Sequence, residues 1–382
     1  MRIQKIRYEP FGGIIGTENP TGLFWVDREY LRSKGFEESK GWSEATSQPC
    51  DTSYPVDLLS HPEAPVEAEI AITTACNLSC PCCYTGAGPG GQSLAMDDVF
   101  RMLHAVATLD VFHVAFGGGE PLMHPDLLDL ASEARSLNLL PTTSTNGHLV
   151  TDEWASQAAG LFGRINVSVD VPGGYRDASC YAAISGLRDA GHETGANFIL
   201  TRQTFDALSE VFRLSADAGA DSLLVLRPKP GGRGSGLYRT MMLDTAQQRA
   251  LPGLLLELSG RYGLPFHIDC GLAPLIIQAA PDAKMLAQFG ASGCIAGRLL
   301  MTVDAQGFVH CCSHLNQVVC HYTELPHGWH QSPVVQAFQE RSTGLEGRCG
   351  ICERRSICGG GCAAVNEFHG LSLESPDPDL CH

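Results

Sequence analysis

From Val66 to about Tyr262, short apolar runs alternate with stretches whose apolar residues recur every third or fourth position. The first pattern suits strands buried in a sheet, and the second suits helices with one buried face. Strands are expected at Glu67–Thr73, Phe112–Phe116, Leu139–Ser144, Arg164–Val169, Glu193–Leu200 and Ser222–Leu226. Helices are expected between and after them, at Met96–Leu109, Pro125–Leu137, Asp152–Leu161, Ala178–Ala190, Thr204–Ala218 and Gln247–Tyr262. Six strand–helix repeats imply a parallel sheet with helices outside. The stretch is shorter than the roughly 250 residues of a closed eight-unit barrel. The expected fold class is therefore α/β, a partial (β/α)6 TIM-like barrel. Its working site belongs at the C-terminal ends of the strands.

The flanks read differently. Before the barrel, Ile6–Tyr8 and Leu23–Val26 are expected as two strands of a small N-terminal β-hairpin unit around a Gly/Asn/Pro turn, GGIIGTENPTG. A short helical piece follows near Arg28–Lys34. From Phe266 onward the periodicity breaks up, and Cys, Gly and His dominate. That composition suggests a small domain held by metal more than by an apolar core. The expected units are 1–65, 66–265 and 266–382.

Charge narrows the function. Among 382 residues, Lys and Arg number 26 against 42 Asp and Glu, for a net charge of −16. A chain this acidic is poorly suited to a phosphate backbone, so no nucleic-acid partner is expected. No apolar run approaches the roughly 20 residues of a bilayer span, so no membrane is expected either. The basic start lacks the roughly 7–15-residue apolar core of a secretory signal, which makes a cytoplasmic location the expectation. Sixteen cysteines in a reducing compartment read as metal or redox ligands before disulfides.

The first group is Cys76-Asn-Leu-Ser-Cys80-Pro-Cys82-Cys83-Tyr84, directly after the first expected strand. Cys76, Cys80 and Cys83 have the spacing C-x3-C-x2-C. Three thiolates on one loop can hold three corners of an iron–sulfur cubane and leave the fourth iron for another ligand. A closed zinc site needs a fourth ligand that this loop lacks. The second group is Phe116-Gly117-Gly118-Gly119-Glu120-Pro121, after the second strand, where glycines let a ligand approach the backbone. A dinucleotide fingerprint would need glycine where Leu122 stands.

Together these motifs resemble the radical S-adenosylmethionine (SAM) enzymes. The resemblance implies a [4Fe–4S] cluster on Cys76, Cys80 and Cys83, with Tyr84 as its aromatic neighbour. SAM would chelate the open iron, and Gly118, Gly119 and Glu120 would hold its methionine amino group. By position at later strand ends, Ser144, Thr145, Asn146, Ser168, Asp170, Leu226 and Arg227 would also meet SAM.

The tail carries a third constellation. Cys349, Cys352, Cys358 and Cys362 form a ladder that could by itself be one zinc site. Cys294, Cys312, which follows Gly307, and Cys381 lie outside it. The seven together resemble the SPASM extension of radical SAM enzymes. That implies two auxiliary [4Fe–4S] clusters. Cys294, Cys312 and Cys362 would serve the first, and Cys349, Cys352, Cys358 and Cys381 the second. A fourth ligand for the first could be Cys311 or Cys270, or the position could stay open for substrate. Sulfatase-maturating relatives carry an Asp base directly after the cysteine at the Cys312 position. Ser313 and His314 stand here instead, so that role does not transfer. His310 and His314 are candidates for proton relay, with core histidines as the plainer alternative.

The basic segment Arg227–Arg239 could grip the SAM carboxylate or an acidic peptide, or be a solvated loop. An exposed edge of the N-terminal hairpin could receive a leader peptide by strand addition. The resemblance implies a maturase that takes hydrogen from a ribosomally made precursor peptide through a 5′-deoxyadenosyl radical. It would then install an intramolecular thioether or carbon–carbon link. A reducing donor such as flavodoxin or ferredoxin would be needed. A protein-residue oxidase or an epimerase is the alternative within the family, and a non-catalytic zinc-binding scaffold the alternative outside it.

Overall fold

A computed structural model describes residues 2–9, 11–18, 20–36, 62–171, 179–279 and 293–380. The chain opens with an antiparallel sheet of three strands, β1 (Arg2–Glu9), β2 (Gly12–Glu18) and β3 (Gly22–Asp27), in the order β1-β2-β3, followed by α1 (Arg28–Ser33). The sequence pattern had placed a turn where β2 runs. The glycines of GGIIG serve close packing instead: a Cβ on Gly16 would lie 2.6 Å from the Phe112 ring. The turn falls just after β2, before Gly22.

The six expected barrel strands are β4 (Glu67–Thr73), β5 (His113–Gly118), β6 (Leu140–Thr145), β7 (Arg164–Val169), β8 (Thr194–Ile199) and β9 (Ser222–Leu226). They are joined by α2 (Met96–Ala107), α3 (Leu127–Ser136), α4 (Asp152–Gln157), α5 (Ser179–Asp189) and α6 (Leu208–Ala218). After β9 come the short α7 (Tyr238–Met241) and α8 (Thr245–Tyr262). The α2 helix shows why these segments fold as they do. Val99, Met102, Leu103 and Val106 recur at helical spacing and are its buried face against the sheet.

The sheet is larger than six strands. β10 (Phe266–Ile268) pairs parallel to β9, and β11 (Leu300–Val303) pairs parallel to β4. β12 (Phe308–His310) and β13 (Val318–His321) then extend that edge antiparallel. The order β10-β9-β8-β7-β6-β5-β4-β11-β12-β13 is an open sheet, not a closed barrel. The C-terminal region is also not core-free, as its composition had suggested. Met301, Val309, Trp329, Phe338 and Val365 belong to the same apolar core as Ile70 and Phe116.

The N-terminal sheet sits at the N-terminal ends of the barrel strands. Ile14 packs with Val66, Phe112 and Leu299, each just ahead of a strand. The Thr21 amide donates to Glu193 at 2.8 Å and its hydroxyl to the Gly163 carbonyl at 3.0 Å. Buried Arg7 pairs with Glu9 and donates to the carbonyls of Pro65 and Ala64. No helix among the described residues is long and apolar enough to cross a membrane.

Candidate active site

Alternation along the strands decides what faces the inside of the sheet. On β4, Ala68, Ile70 and Ile72 are fully buried toward the helices, so Glu67, Glu69 and Ala71 face the other way. Register carries this face across to His113 on β5, Thr142 and Ser144 on β6, Asn166 and Ser168 on β7, and Asn197 on β8. The interior is therefore polar. Burial, with the nearby Glu69 charge adding to it, pushes the Glu67 carboxyl up to about 7, while burial holds His113 down to about 4.

The Cys76–Tyr84 loop lies at the C-terminal end of β4. Buried Cys80 and half-buried Cys76 and Cys83 occupy it. The Leu78 amide donates to the Cys76 sulfur at 3.4 Å, and the Asn146 amide group reaches the same sulfur at 3.9 Å. Burial, and then the Glu120 charge, raise the Cys76 thiol despite these donors. Burial also opposes ionisation of Cys83, but the Thr85 hydroxyl and the amides of Thr85, Ala87 and Gly86 outweigh it and lower that thiol. Donors aimed at sulfur are what an iron–sulfur centre needs around its thiolates. No three His, Cys, Asp or Glu side chains among the described residues gather as one metal ion requires.

Gly118 and Gly119 follow on β5. Gly118 has φ +103°, and a Cβ there would lie 2.3 Å from the Thr73 carbonyl oxygen. A Cβ on Gly119 would lie 2.0 Å from the Ala75 carbonyl oxygen. The Gly119 and Glu120 amides bond to those same two carbonyls, at 2.7 and 2.8 Å. The glycines thus clamp the cysteine loop to β5. Gly119→Ala must push the loop away, so SAM binding by calorimetry is expected to weaken at least tenfold while the circular dichroism spectrum holds. Unchanged affinity would show that this contact does not shape the site. Glu120 is buried: Oε1 accepts from the Leu122 amide and the Thr145 hydroxyl, and Oε2 from the Asn146 amide at 2.7 Å. It ties the ends of β5 and β6 together. Ser144 is exposed at its strand end and accepts from Asn197 at 3.3 Å. Ser168 and Leu226 also close their strands, and Asp170 bonds the Val171 amide.

Other expected residues stand elsewhere. The Arg227 guanidinium is fully buried against Asp377 at 2.6 Å and Asp379 at 3.1 Å. Its side chain braces the C-terminal segment, where two carboxylates hold it. The basic segment is no solvated loop. Arg233 donates to the carbonyls of Cys80, Gly86 and Ala87, and its amide to that of Cys83. Gly232, at φ +48°, packs where a Cβ would meet the Tyr84 carbonyl oxygen at 2.5 Å. This clasp over the cysteine loop was invisible in the sequence, although its glycines were the available signal. His310 is held at both ring nitrogens, by Asp304 and the Gln317 carbonyl, each at 3.1 Å. His314 is at the site: its ring meets Tyr84 edge-on at 4.3 Å, its Nδ1 is buried without a partner, and burial and then Lys229 hold it down to about 3.

Glu69 is a site residue that the sequence pattern missed, because it reads as part of a strand. The Tyr84 hydroxyl donates to it at 3.1 Å, and it also bonds Ser313 beside Cys312. Burial raises its carboxyl despite these bonds.

The tail thiols fall into two groups. Cys312 lies within electrostatic reach of Cys294 and Cys362, and Cys358 within reach of Cys349 and Cys352. Between Cys358 and Cys362, Gly359, Gly360 and Gly361 all have positive φ, which only glycine tolerates in succession. This turn brings the Gly360 and Gly361 amides to the Cys358 sulfur, although burial still pushes that thiol up to about 11. Cys381 lies outside the described residues.

Residues 70–214 match the radical SAM superfamily. A mycofactocin maturase MftC of Mycobacterium ulcerans is 30% identical over 337 residues, covering 83% of this chain and 88% of that one. A pre-heme d1 synthase of Dinoroseobacter shibae is 28% identical, covering 81% and 86%. Among solved structures, Streptococcus suis SuiB bound to precursor peptide SuiA superposes with TM-score 0.73 at 18% identity, covering 99% of this chain and 98% of that one.

Proposed function

Because this chain belongs to the radical SAM superfamily, and is therefore a radical SAM enzyme, we propose that it matures a ribosomally made peptide by forming an intramolecular thioether or carbon–carbon link. The observation that carries the reading is the clamped loop of Cys76, Cys80 and Cys83 against Gly118, Gly119 and Glu120 at the open end of a polar interior. Membership of an enzyme superfamily replaces the zinc-scaffold alternative.

The residues fit the groups that the family implies. Cys76, Cys80 and Cys83 would hold a [4Fe–4S] cluster. Gly118, Gly119, Glu120, Ser144, Asn146, Ser168, Asp170 and Leu226 would border SAM. Cys294, Cys312 and Cys362 would hold a first auxiliary cluster, and Cys349, Cys352, Cys358 and Cys381 a second. Bound cluster and SAM supply a carbon radical able to take hydrogen from an unactivated C–H bond. This chain's part is position and exclusion. Arg233 and the glycines of the clasp keep the cysteine loop in one shape. Glu120 fixes the β5 and β6 ends. Glu69 is placed to hold a proton, between Tyr84 on one side and Ser313 on the other.

The peptide partner is supported by the MftC relatives and by the N-terminal sheet. Ile3 on edge strand β1 and Phe24 on edge strand β3 are 43% and 46% exposed. Open edges suit strand addition by a leader. This sheet lies at the opposite end of the barrel from the cysteine loop. A leader bound there must be followed by enough chain to pass a strand length of roughly 20 Å before the modified residue. The electron donor is a low-potential protein such as flavodoxin or ferredoxin, and the location cytoplasmic.

The test is anaerobic coexpression with candidate short peptides from reading frames neighbouring its gene, read by mass spectrometry. A crosslink removes two hydrogens and silences fragmentation inside the ring. Loss of two hydrogens with full fragmentation would indicate residue oxidation, and an unchanged mass with solvent deuterium incorporated would indicate epimerisation. An unmodified peptide would overturn the maturase reading.

A further inference from the structure

The three cysteines that the family pattern supplies to the first auxiliary site leave one iron of a four-iron cluster without a protein thiolate. Whether that corner is open decides what the centre can do. An open corner can bind substrate, whereas a closed one only exchanges electrons. Two further thiols lie close by, and they differ.

Cys311 precedes Cys312 in the chain and lies within electrostatic reach of Cys294, but Cys362 is not among its partners. Its sulfur sits against Gly297, where a Cβ would be 2.9 Å from it, and a Cβ there would also lie 2.6 Å from Phe338. Burial among these groups pushes the Cys311 thiol up to about 12. Cys270 comes from the opposite edge of the large sheet, in the turn after β10. Its thiol lies within electrostatic reach of both Cys294 and Cys362, the same two thiols that Cys312 reaches.

Lys229 fixes this arrangement. Its ammonium pairs with Asp269 at 2.7 Å and donates to the Cys362 sulfur at 3.8 Å. A Cβ on Gly271 would lie 2.5 Å from that ammonium. Lys229 is thus pressed between the turn that carries Cys270 and the sulfur of Cys362. A cation buried in this position answers the negative charge that four thiolates concentrate around a cluster, and Asp269 orients it.

We propose that Cys270 is the fourth thiolate of the first auxiliary site and closes it against substrate. The centre is then an electron carrier, attached to the barrel through β10 as well as to the C-terminal region. This rests on the two-auxiliary-cluster reading.

The test uses the full chain with Cys76, Cys80 and Cys83 replaced by alanine, so that only the auxiliary sites hold iron. That background should hold about eight irons per chain. Adding Cys270→Ala should make one cluster oxidation-labile: ferricyanide should release iron and give the electron paramagnetic resonance signal of a three-iron centre. Cys270→Ser should keep four irons with an altered signal, which guards against simple misfolding. Cys311→Ala should match the background. If Cys270→Ala matches the background under ferricyanide, or Cys311→Ala gives the three-iron signal, the assignment is overturned while two auxiliary clusters stand. If the background binds no iron, the auxiliary reading falls and the assignment with it.

Discussion

Replacing Cys80 by alanine is expected to reduce 5′-deoxyadenosine formation from SAM to the level of an enzyme-free control. Cys80 is the middle cysteine of the C-x3-C-x2-C loop and its thiol is buried, so water cannot take its place as a ligand without opening the loop. The loop itself should survive, because its carbonyls remain held by Arg233 and its ends by the Thr73 and Ala75 carbonyl contacts. On the proposal of two auxiliary clusters, iron should fall by about four per chain, with the remainder in the C-terminal sites. Anaerobic reconstitution, iron and sulfide analysis, and chromatography of the SAM products measure both effects. Continued SAM cleavage would remove Cys80 from the cluster. Loss of all iron would instead mean that the three sites do not load independently.

The second large effect is expected far from that loop. Asp377→Ala leaves the Arg227 guanidinium fully buried with Asp379 as its one remaining carboxylate, beside the Tyr238 hydroxyl and the Gly271 carbonyl. It also strips the Cys362 amide of its acceptor, the Asp377 carboxylate at 3.0 Å. Burial opposes the charge on both partners, yet the pairing wins: the Asp377 carboxyl is held below its ordinary range and the guanidinium is kept charged. Removing one partner of such a pair costs about 3–5 kcal/mol. At roughly 1–2 °C per kcal/mol for a chain of 382 residues, the melting temperature should fall by about 3–10 °C. Replacing the pair together, Arg227→Met with Asp377→Leu, should recover part of the loss, since no fully buried charge is then stranded: Asp379 is partly exposed and keeps the Tyr238 hydroxyl as a donor. Thermal unfolding of the reconstituted protein, with iron release followed in parallel, is the measurement. A shift within the experimental error would show that the contact does not join the barrel to the C-terminal region.

The extent to which this molecule can be read from its sequence depends on how far apart the interacting residues lie. The strand at Glu67–Thr73 and the helix at Met96–Ala107 are set by local periodicity, and the structure places them where the pattern did. The C-x3-C-x2-C loop and the Gly-Gly-Glu run lie within short stretches directly after strands, so spacing alone marks them. β2 was missed because glycine is ambiguous locally: it signals a turn unless a neighbour such as Phe112 presses on the strand. β11 was missed because its partner, β4, is more than two hundred residues away.

By itself, then, the sequence determined the barrel class, the family and the grouping of the cysteines along the chain, because each follows from short-range spacing. Only the tertiary structure decided where the long cationic side chains point. In the sequence, Arg227, Lys229 and Arg233 belong to one basic segment that could grip SAM or an acidic peptide, or be a solvated loop. In the folded chain one braces Asp377, one lies against Cys362, and one clasps the cysteine loop. It also set Cys270 in the turn beside Lys229 and Cys311 against Gly297, two thiols of equal chemistry in different surroundings. The physical reason is the same in each case. A buried charge or thiol takes its role from the partners that desolvation forces upon it, and those partners come from distant parts of the chain.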